Sequence, residues 1–278
     1  MKILVTGKGG ISGSWRIRGE QLGSAIGARV RPMAALRDCI ESDLIVVVKR
    51  VPEMLLNTIR RSGKRWVFDM VDCWPQPSLW ESDESRAWIR RTLARLRPDA
   101  VIFGTPQMQT DSGFLGPSTV LPHHSWQRYV DHPAEIRETI SVVGYEGDEG
   151  YLGRWRWALD AECARRGWEL MINGDMRRAD IGIALRHGGG YPARNWKPGT
   201  KLSNLHALGL PAVCSVEAGY QSVACGAETF VTAPVDLAGA FDRLTSFQVR
   251  TEIAREMRAA QLTLSDVART YKNWMEAL

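Results

Sequence analysis

Ile140-Ser141-Val142-Val143-Gly144-Tyr145 is a run of strand-forming residues that passes into a turn with glycines at 144, 147, 150 and 153, then into a helical stretch, Trp155–Arg166. The same order opens the chain: Lys2-Ile3-Leu4-Val5-Thr6, a glycine-rich turn, and a helix expected over Trp15–Ile26. Further strands are read at Leu44–Val48, Arg65–Asp69, Ala100–Phe103, Trp168–Ile172, Ile181–Leu185 and Ala212–Ser215, with helices at Glu53–Ser62, Glu84–Leu96 and Lys201–Leu208. Short aliphatic strands alternating with helices predict parallel sheets covered on both faces. The pattern weakens over Thr105–Pro133. The chain therefore reads as α/β, two Rossmann-like doubly wound halves joined near residues 125–138.

Composition agrees with that reading. With 278 residues, 44% hydrophobic, 26 Gly and 13 Pro, the chain is too apolar for disorder and too poor in glycine and proline for a fibre. It exceeds the roughly 250 residues that a single core usually serves. The five cysteines (Cys39, Cys73, Cys163, Cys214, Cys225) are odd in number and widely spread, without C-x-x-C spacing or a histidine close in sequence. That argues against a disulfide framework or a zinc site and for reduced thiols. Ile3-Leu4-Val5 is too short for a signal peptide, and the longest aliphatic run, Leu44–Val48, cannot cross a bilayer. A soluble, cytoplasmic monomer with no membrane partner is expected.

Charge is uneven along the chain. The net charge is +5, from 36 Lys+Arg against 31 Asp+Glu; residues 1–140 hold 20 against 15, and residues 141–278 balance at 16 against 16. Arginine outnumbers lysine by 29 to 7, and there are 11 tryptophans, a combination suited to gripping phosphates and stacking on flat rings. A genome that favours arginine codons explains the ratio equally well, but not the asymmetry between halves.

In doubly wound sheets a ligand binds beyond the carboxyl ends of the strands, so the site is expected in a cleft where the two sets of ends face each other. The first glycine loop is Gly7-Lys8-Gly9-Gly10-Ile11-Ser12-Gly13-Ser14, followed by Trp15-Arg16-Ile17-Arg18. It lacks the Gly-Lys-Ser/Thr of a Walker loop and misses the dinucleotide G-x-G-x-x-G spacing by one residue. Its place after a strand, Ser14 as an N-cap, and Arg16 and Arg18 in the first helical turns suit an anion, with Gly10, Ser14 and Arg16 as donor-binding candidates. A tight strand-helix turn with solvated arginines is the alternative.

The second constellation runs from Lys197-Pro198-Gly199-Thr200-Lys201 through Asn204 and Gly209 to Glu217-Ala218-Gly219-Tyr220. Lys197, Lys201 and a helix N-terminus suit a diphosphate; Asn204, one turn on, suits a ribose; Glu217, Gly219 and Tyr220 open the next helix beside the sugar.

Here the chain resembles retaining glycosyltransferases of the GT-B fold, whose donor half carries a lysine-bearing helix, an Ala-Leu-Gly-Leu-Pro turn into a strand, and a glycine turn after it. The resemblance is strongest over residues 180–222 and looser over 1–26 and 65–75. Many members carry two glutamates eight positions apart on this segment, and Trp196 and Asn204 stand in their places. The resemblance implies two domains facing across a cleft, 1–133 for the acceptor and 134–250 for a nucleotide sugar, with 251–278 a C-terminal helix returning to the first. It further implies a nucleoside-diphosphate sugar (UDP-glucose) as co-substrate, transfer with retention, and neither cofactor nor metal. Positive side chains would then neutralise the leaving diphosphate: Lys201 first, then Arg186, Lys197 and Arg154.

For the acceptor, Asp69 and Asp72 at a strand end are candidates to orient or deprotonate a hydroxyl, with Trp74 as a stacking surface. Turn capping is an equally good role for either aspartate, and His123-His124 form a weaker pair. The stretch Glu84–Arg97 reads as an amphipathic helix whose Arg86, Arg90, Arg91, Arg95 and Arg97 match either solvent or a DNA backbone. A basic acceptor half is a feature shared with phage DNA glucosyltransferases, a resemblance that implies transfer onto a hydroxymethylated pyrimidine, such as hydroxymethyluracil, in phage DNA within the host cytoplasm. Two other readings stay open: a GT-B transferase for a polysaccharide or small acceptor, and a non-catalytic nucleic-acid-binding protein on a degenerate transferase fold.

Overall fold

Leu44–Val48 is buried at every position, as a strand is when both faces of its sheet are covered. In the computed structural model, described for residues 1–72, 81–187 and 190–278, this strand lies inside a sheet made of β1 (Ile3–Gly7), β2 (Arg29–Val30), β3 (Leu44–Val48), β4 (Trp66–Asp69), β5 (Ala100–Phe103) and β6 (Ser118–Val120). The order is β2-β1-β3-β4-β5-β6, all parallel, with Leu4 opposite Ile45 and Val47 opposite Phe68. A second parallel sheet holds β7 (Val142–Tyr145), β8 (Glu169–Ile172), β9 (Ile181–Ala184), β10 (Ala212–Ser215) and β11 (Thr229–Val231), in the order β11-β10-β9-β7-β8.

Both sheets are wound alike. Each starts with an inner strand, steps outward to an edge strand, then crosses back to the other side and continues. The switch point therefore lies between β1 and β3 in one sheet and between β7 and β9 in the other. Loops diverge there above the carboxyl ends, leaving a crevice for a ligand.

The strands that sequence patterning misses are Arg29–Val30, Ser118–Val120 and Thr229–Val231. All are sheet edges of two or three residues with incomplete burial, so they carry no run of buried residues to read.

The chain forms two compact units. One comprises Met1–His123, residues 190–198 and Leu264–Leu278; the other comprises residues 124–187 and Gly199–Thr263. Against the expected division at 133 and 250, residues 124–133 and the helix Phe247–Ala259 belong to the second unit, where Tyr129, Ala134, Ile253 and Met257 enter its core. The single C-terminal helix expected over 251–278 is two helices, Phe247–Ala259 and Leu264–Glu276. Arg250 explains part of this arrangement. Its fully buried guanidinium donates to the carbonyls of Leu244, Thr245, Arg137 and Glu138 at 2.6–2.9 Å, tying the helix to its own unit. No helix among the described residues is long and apolar enough to cross a membrane.

Candidate active site

In the second unit, β7 ends at Tyr145 and β9 at Ala184, so the switch-point loops are residues 146–153 and 185–187. Arg186 stands at the carboxyl end of β9. Its side chain is 7% exposed and pairs with Glu217, itself 3% exposed. Glu217 also accepts from Ser215 Oγ at 2.7 Å, while the Arg186 amide donates to the same hydroxyl at 3.1 Å. The guanidinium lies 5.4 Å from the Tyr220 ring centre and 5.9 Å from that of Tyr151. Burial pulls the Arg186 pKa down, but Tyr220 and Glu217 more than offset it, so the arginine stays charged. Burial pushes the Tyr145 hydroxyl up to about 12, with Arg186 opposing, and the Tyr220 hydroxyl is raised by the same cause. The result is a fixed cation walled by neutral phenols.

Lys201 enters from the first turn of the helix Thr200–Leu208. Its ammonium donates to the Glu146 carbonyl and lies 4.2 Å from the Tyr145 ring centre. Gly147, at φ +137°, permits this approach: a Cβ there would lie 2.0 Å from Nζ. The helix start is seated by a second close approach, since a Cβ on Gly199 would lie 2.4 Å from the Gly219 carbonyl oxygen. Arg186, Lys201, Glu217, Gly219 and Tyr220 thus belong to connected elements of one unit.

Other donor candidates fall elsewhere. Asn204 is 8% exposed and its Oδ1 accepts from the Trp126 amide at 3.0 Å; beside it Ser125 Oγ donates to the Ser203 carbonyl at 2.6 Å. Through Oδ1, Asn204 latches the segment 124–126 to its helix. Lys197 belongs to the segment grouped with the first unit. Arg154 is exposed, over the Trp155 ring.

In the first unit, Lys49 follows β3 in a left-handed conformation (φ +58°), and Val71 follows β4 at φ +60°. A β-branched residue there is strained, and such strain concentrates at functional sites. Gly104 accommodates it, because a Cβ at 104 would lie 1.9 Å from the Val71 carbonyl oxygen. Asp72 follows and meets Lys49 Nζ at 2.5 Å; the same ammonium donates to Ser14 Oγ at 3.3 Å. Ser14 makes no side-chain cap bond, contrary to its expected N-cap role, and the turn after it is π-helical over Trp15–Gln21. Asp72, Lys49, Lys8, Arg50, Phe68 and Trp88 are among the residues lining a pocket of about 340 Å³. Gly10 and Arg16 are exposed.

Asp69 has no access to a substrate. It is fully buried, 3.9 Å from the equally buried Arg18, whose guanidinium donates to the Leu121 carbonyl. Burial raises its pKa, with Arg18 opposing. This pair is structural, so both the catalytic reading of Asp69 and the anion-binding reading of Arg18 are set aside. Arg86 is also committed: Nε meets Asp111 Oδ1 at 3.0 Å, and Tyr191 and Trp196 Nε1 converge on the same carboxylate. Arg90 Nε donates to the Asp111 carbonyl at 3.3 Å, while Arg91 is exposed on the helix Ser82–Leu96. Trp74 lies outside the described residues. His123 and His124 are 5% and 2% exposed.

Sequence reading missed Lys49 and Tyr145. Lys49 directly follows a strand buried at every position, where a lysine is itself the signal; Tyr145 looks like any strand terminus until Lys201 is set over its ring.

Two parallel, identically wound α/β units define the GT-B fold. Among solved structures the chain is similar to Anabaena Alr3699/HepE in complex with UDP and glucose, at 12% identity over 100% of both chains and a TM-score of 0.72. It is also similar to the trehalose-6-phosphate synthase OtsA (11%, 100% and 99%, 0.62) and to a glycosyltransferase from Rickettsia africae ESF-5 (8%, 99% and 98%, 0.61). At such identities the likeness is one of fold. No protein-family model and no curated protein matches the chain.

Proposed function

We propose that the chain is a glycosyltransferase that takes its sugar from a nucleoside diphosphate, UDP-glucose, held at the β7/β9 switch point. The observation that carries this reading is the pair of cations Arg186 and Lys201 at that point, each fixed by its partners. Support comes from a fold shared with a protein whose crystals hold UDP and UDP-glucose. As the bond between anomeric carbon and diphosphate breaks, its electron pair stays on the phosphate oxygen, and the two cations stabilise that charge without a metal. Glu217 and Ser215 keep Arg186 aimed. The acceptor oxygen bonds the anomeric carbon with retention, and Asp72, beside Lys49, is the candidate to orient the hydroxyl or take its proton.

For the acceptor, we propose a hydroxymethylated pyrimidine of phage DNA flipped into the pocket beside Trp88. Supporting it are the excess of cations in residues 1–140, the pocket's Lys8, Lys49 and Arg50, and exposed Arg91. Arg86, paired with Asp111, keeps a side chain 39% exposed and adds to the same positive face. The test is radiolabelled UDP-glucose offered with hydroxymethylated DNA, unmodified DNA and a polysaccharide. Label in the modified DNA alone is expected; label in another acceptor replaces the DNA reading, and absence of both UDP binding and donor turnover overturns the transferase. If Arg90 and Arg91 meet phosphates, reversing both to Glu lowers the slope of log affinity against log salt by about 0.9 for each phosphate no longer neutralised. An unchanged slope makes this helix face a solvated one.

A further inference from the structure

His206, Cys225 and Glu228 come together in the second unit. His206 is fully buried on the helix Thr200–Leu208, Glu228 is 6% exposed, and Cys225 reaches the surface in the loop after the short helix Ala218–Gln221. Their ligand atoms all lie within 4.8 Å of one another. Glu228 Oε1 is the focus: His206 Nε2 is 2.5 Å away and Cys225 Sγ 3.4 Å. The Cys225 amide donates to Oε1 at 3.0 Å and the Gly226 amide to Oε2 at 2.9 Å. Gly226, at φ +92°, allows the turn that aims both amides at one carboxylate. The sequence placed no histidine beside any cysteine; folding supplies one from 19 positions upstream (225 − 206).

We infer that His206, Cys225 and Glu228 bind a borderline divalent cation, zinc, through three protein ligands with the fourth position open to solvent. Imidazole, thiolate and carboxylate together select this class of ion over magnesium or calcium, which take oxygen ligands. Tetrahedral zinc, with bonds of about 2.0–2.3 Å, spaces its ligand atoms roughly 3.3–3.8 Å apart. The sulfur and carboxylate oxygen already stand at that spacing, and the imidazole must retreat about 1 Å from the carboxylate. His206 turns Nε2 towards Glu228, so Nε2 is the ligating nitrogen; its buried Nδ1 makes no hydrogen bond among the described residues. The two amides are the outer shell that keeps a ligating carboxylate oriented. On binding, the Cys225 thiol loses its proton to solvent and the zinc–sulfur bond forms; the proton held between His206 Nε2 and Glu228 Oε1 leaves as well, the ring keeping its one N–H on Nδ1, so that the Nε2 lone pair and one carboxylate oxygen complete the set. The ion would clamp the helix bearing Lys201 to the loop that follows Tyr220, so it stabilises the second unit whether or not the chain transfers sugar.

The test is titration of tag-free, reduced protein with cobalt(II), as a coloured substitute, and with zinc. One equivalent of cobalt should bind and give a thiolate-to-metal charge-transfer band in the near ultraviolet, bleached by zinc. Zinc should raise the melting temperature of the wild type. Cys225→Ala, at an exposed position, should melt like the metal-free wild type, show no such band and gain nothing from zinc; Glu228→Gln should weaken cobalt binding. A missing band, or one that survives in Cys225→Ala because another cysteine holds the ion, overturns the inference.

Discussion

The switch point between β1 and β3 and the one between β7 and β9 share a strand order but differ in what their loops hold. After β7 and β9 the cations are paired and walled by ring faces: Arg186 with Glu217 between Tyr220 and Tyr151, and Lys201 over Tyr145. After β1 and β3 the ionic contact is a partly open Lys49–Asp72 pair, with side chains 14% and 12% exposed, next to a pocket and strained backbone. The first arrangement suits a preorganised anion site, where fixed charges act in a low dielectric. The second leaves room for a neutral group to be oriented against a carboxylate. One strand order thus carries two different sets of side chains at its carboxyl ends.

That contrast can be broken experimentally. The largest effect is expected for Arg186→Ala, which leaves Glu217 buried without its cation: a loss of about 3–5 kcal/mol of stability in denaturant unfolding, together with loss of UDP binding. A variant as stable as wild type would mean that water reaches Glu217 and that the site is not dry. Next is Lys201→Ala, expected to cut transfer by on the order of 100-fold with little change in melting temperature. Gly147→Ala sharpens this, since its Cβ would displace Nζ; isothermal titration should show UDP affinity reduced about tenfold, equivalent to roughly 1.4 kcal/mol. If that variant binds UDP normally, Lys201 does not hold the diphosphate from this position.

Lys49→Ala tests the other switch point. It should slow transfer about tenfold while leaving UDP affinity unchanged if the Lys49–Asp72 pair serves the proposed acceptor and not the donor. A parallel loss of UDP affinity would erase the division of labour. The smallest effect concerns pH. Tyr145 has a folded pKa of about 12 against an ordinary 10, so its neutral form contributes stability that is present below pH 10 and lost as pH rises towards 12. Tyr145→Phe should flatten the alkaline arm of the stability profile, and an unchanged arm would show that the hydroxyl is already solvated.

Much of this molecule was readable in one dimension. The inner strands β1, β3, β4, β5, β7, β9 and β10 announce themselves as aliphatic runs because both faces of a parallel sheet must be buried. The placement of Arg186 after β9 and of Lys201 in the first turn of the helix Thr200–Leu208 was readable too, since both follow from local chain geometry. Asp69 and Asn204 looked equally functional but are buried and taken up by Arg18 and the Trp126 amide, partners far along the chain. Spacing along the chain cannot say whether a polar group faces solvent or a distant partner, because burial is settled only when elements pack. The same holds for Cys225, which no local pattern joins to a histidine. Hydrophobic periodicity is local and sets the elements, whereas the pairing of polar groups is long-range, and only the packed fold decides which charges stay available for chemistry.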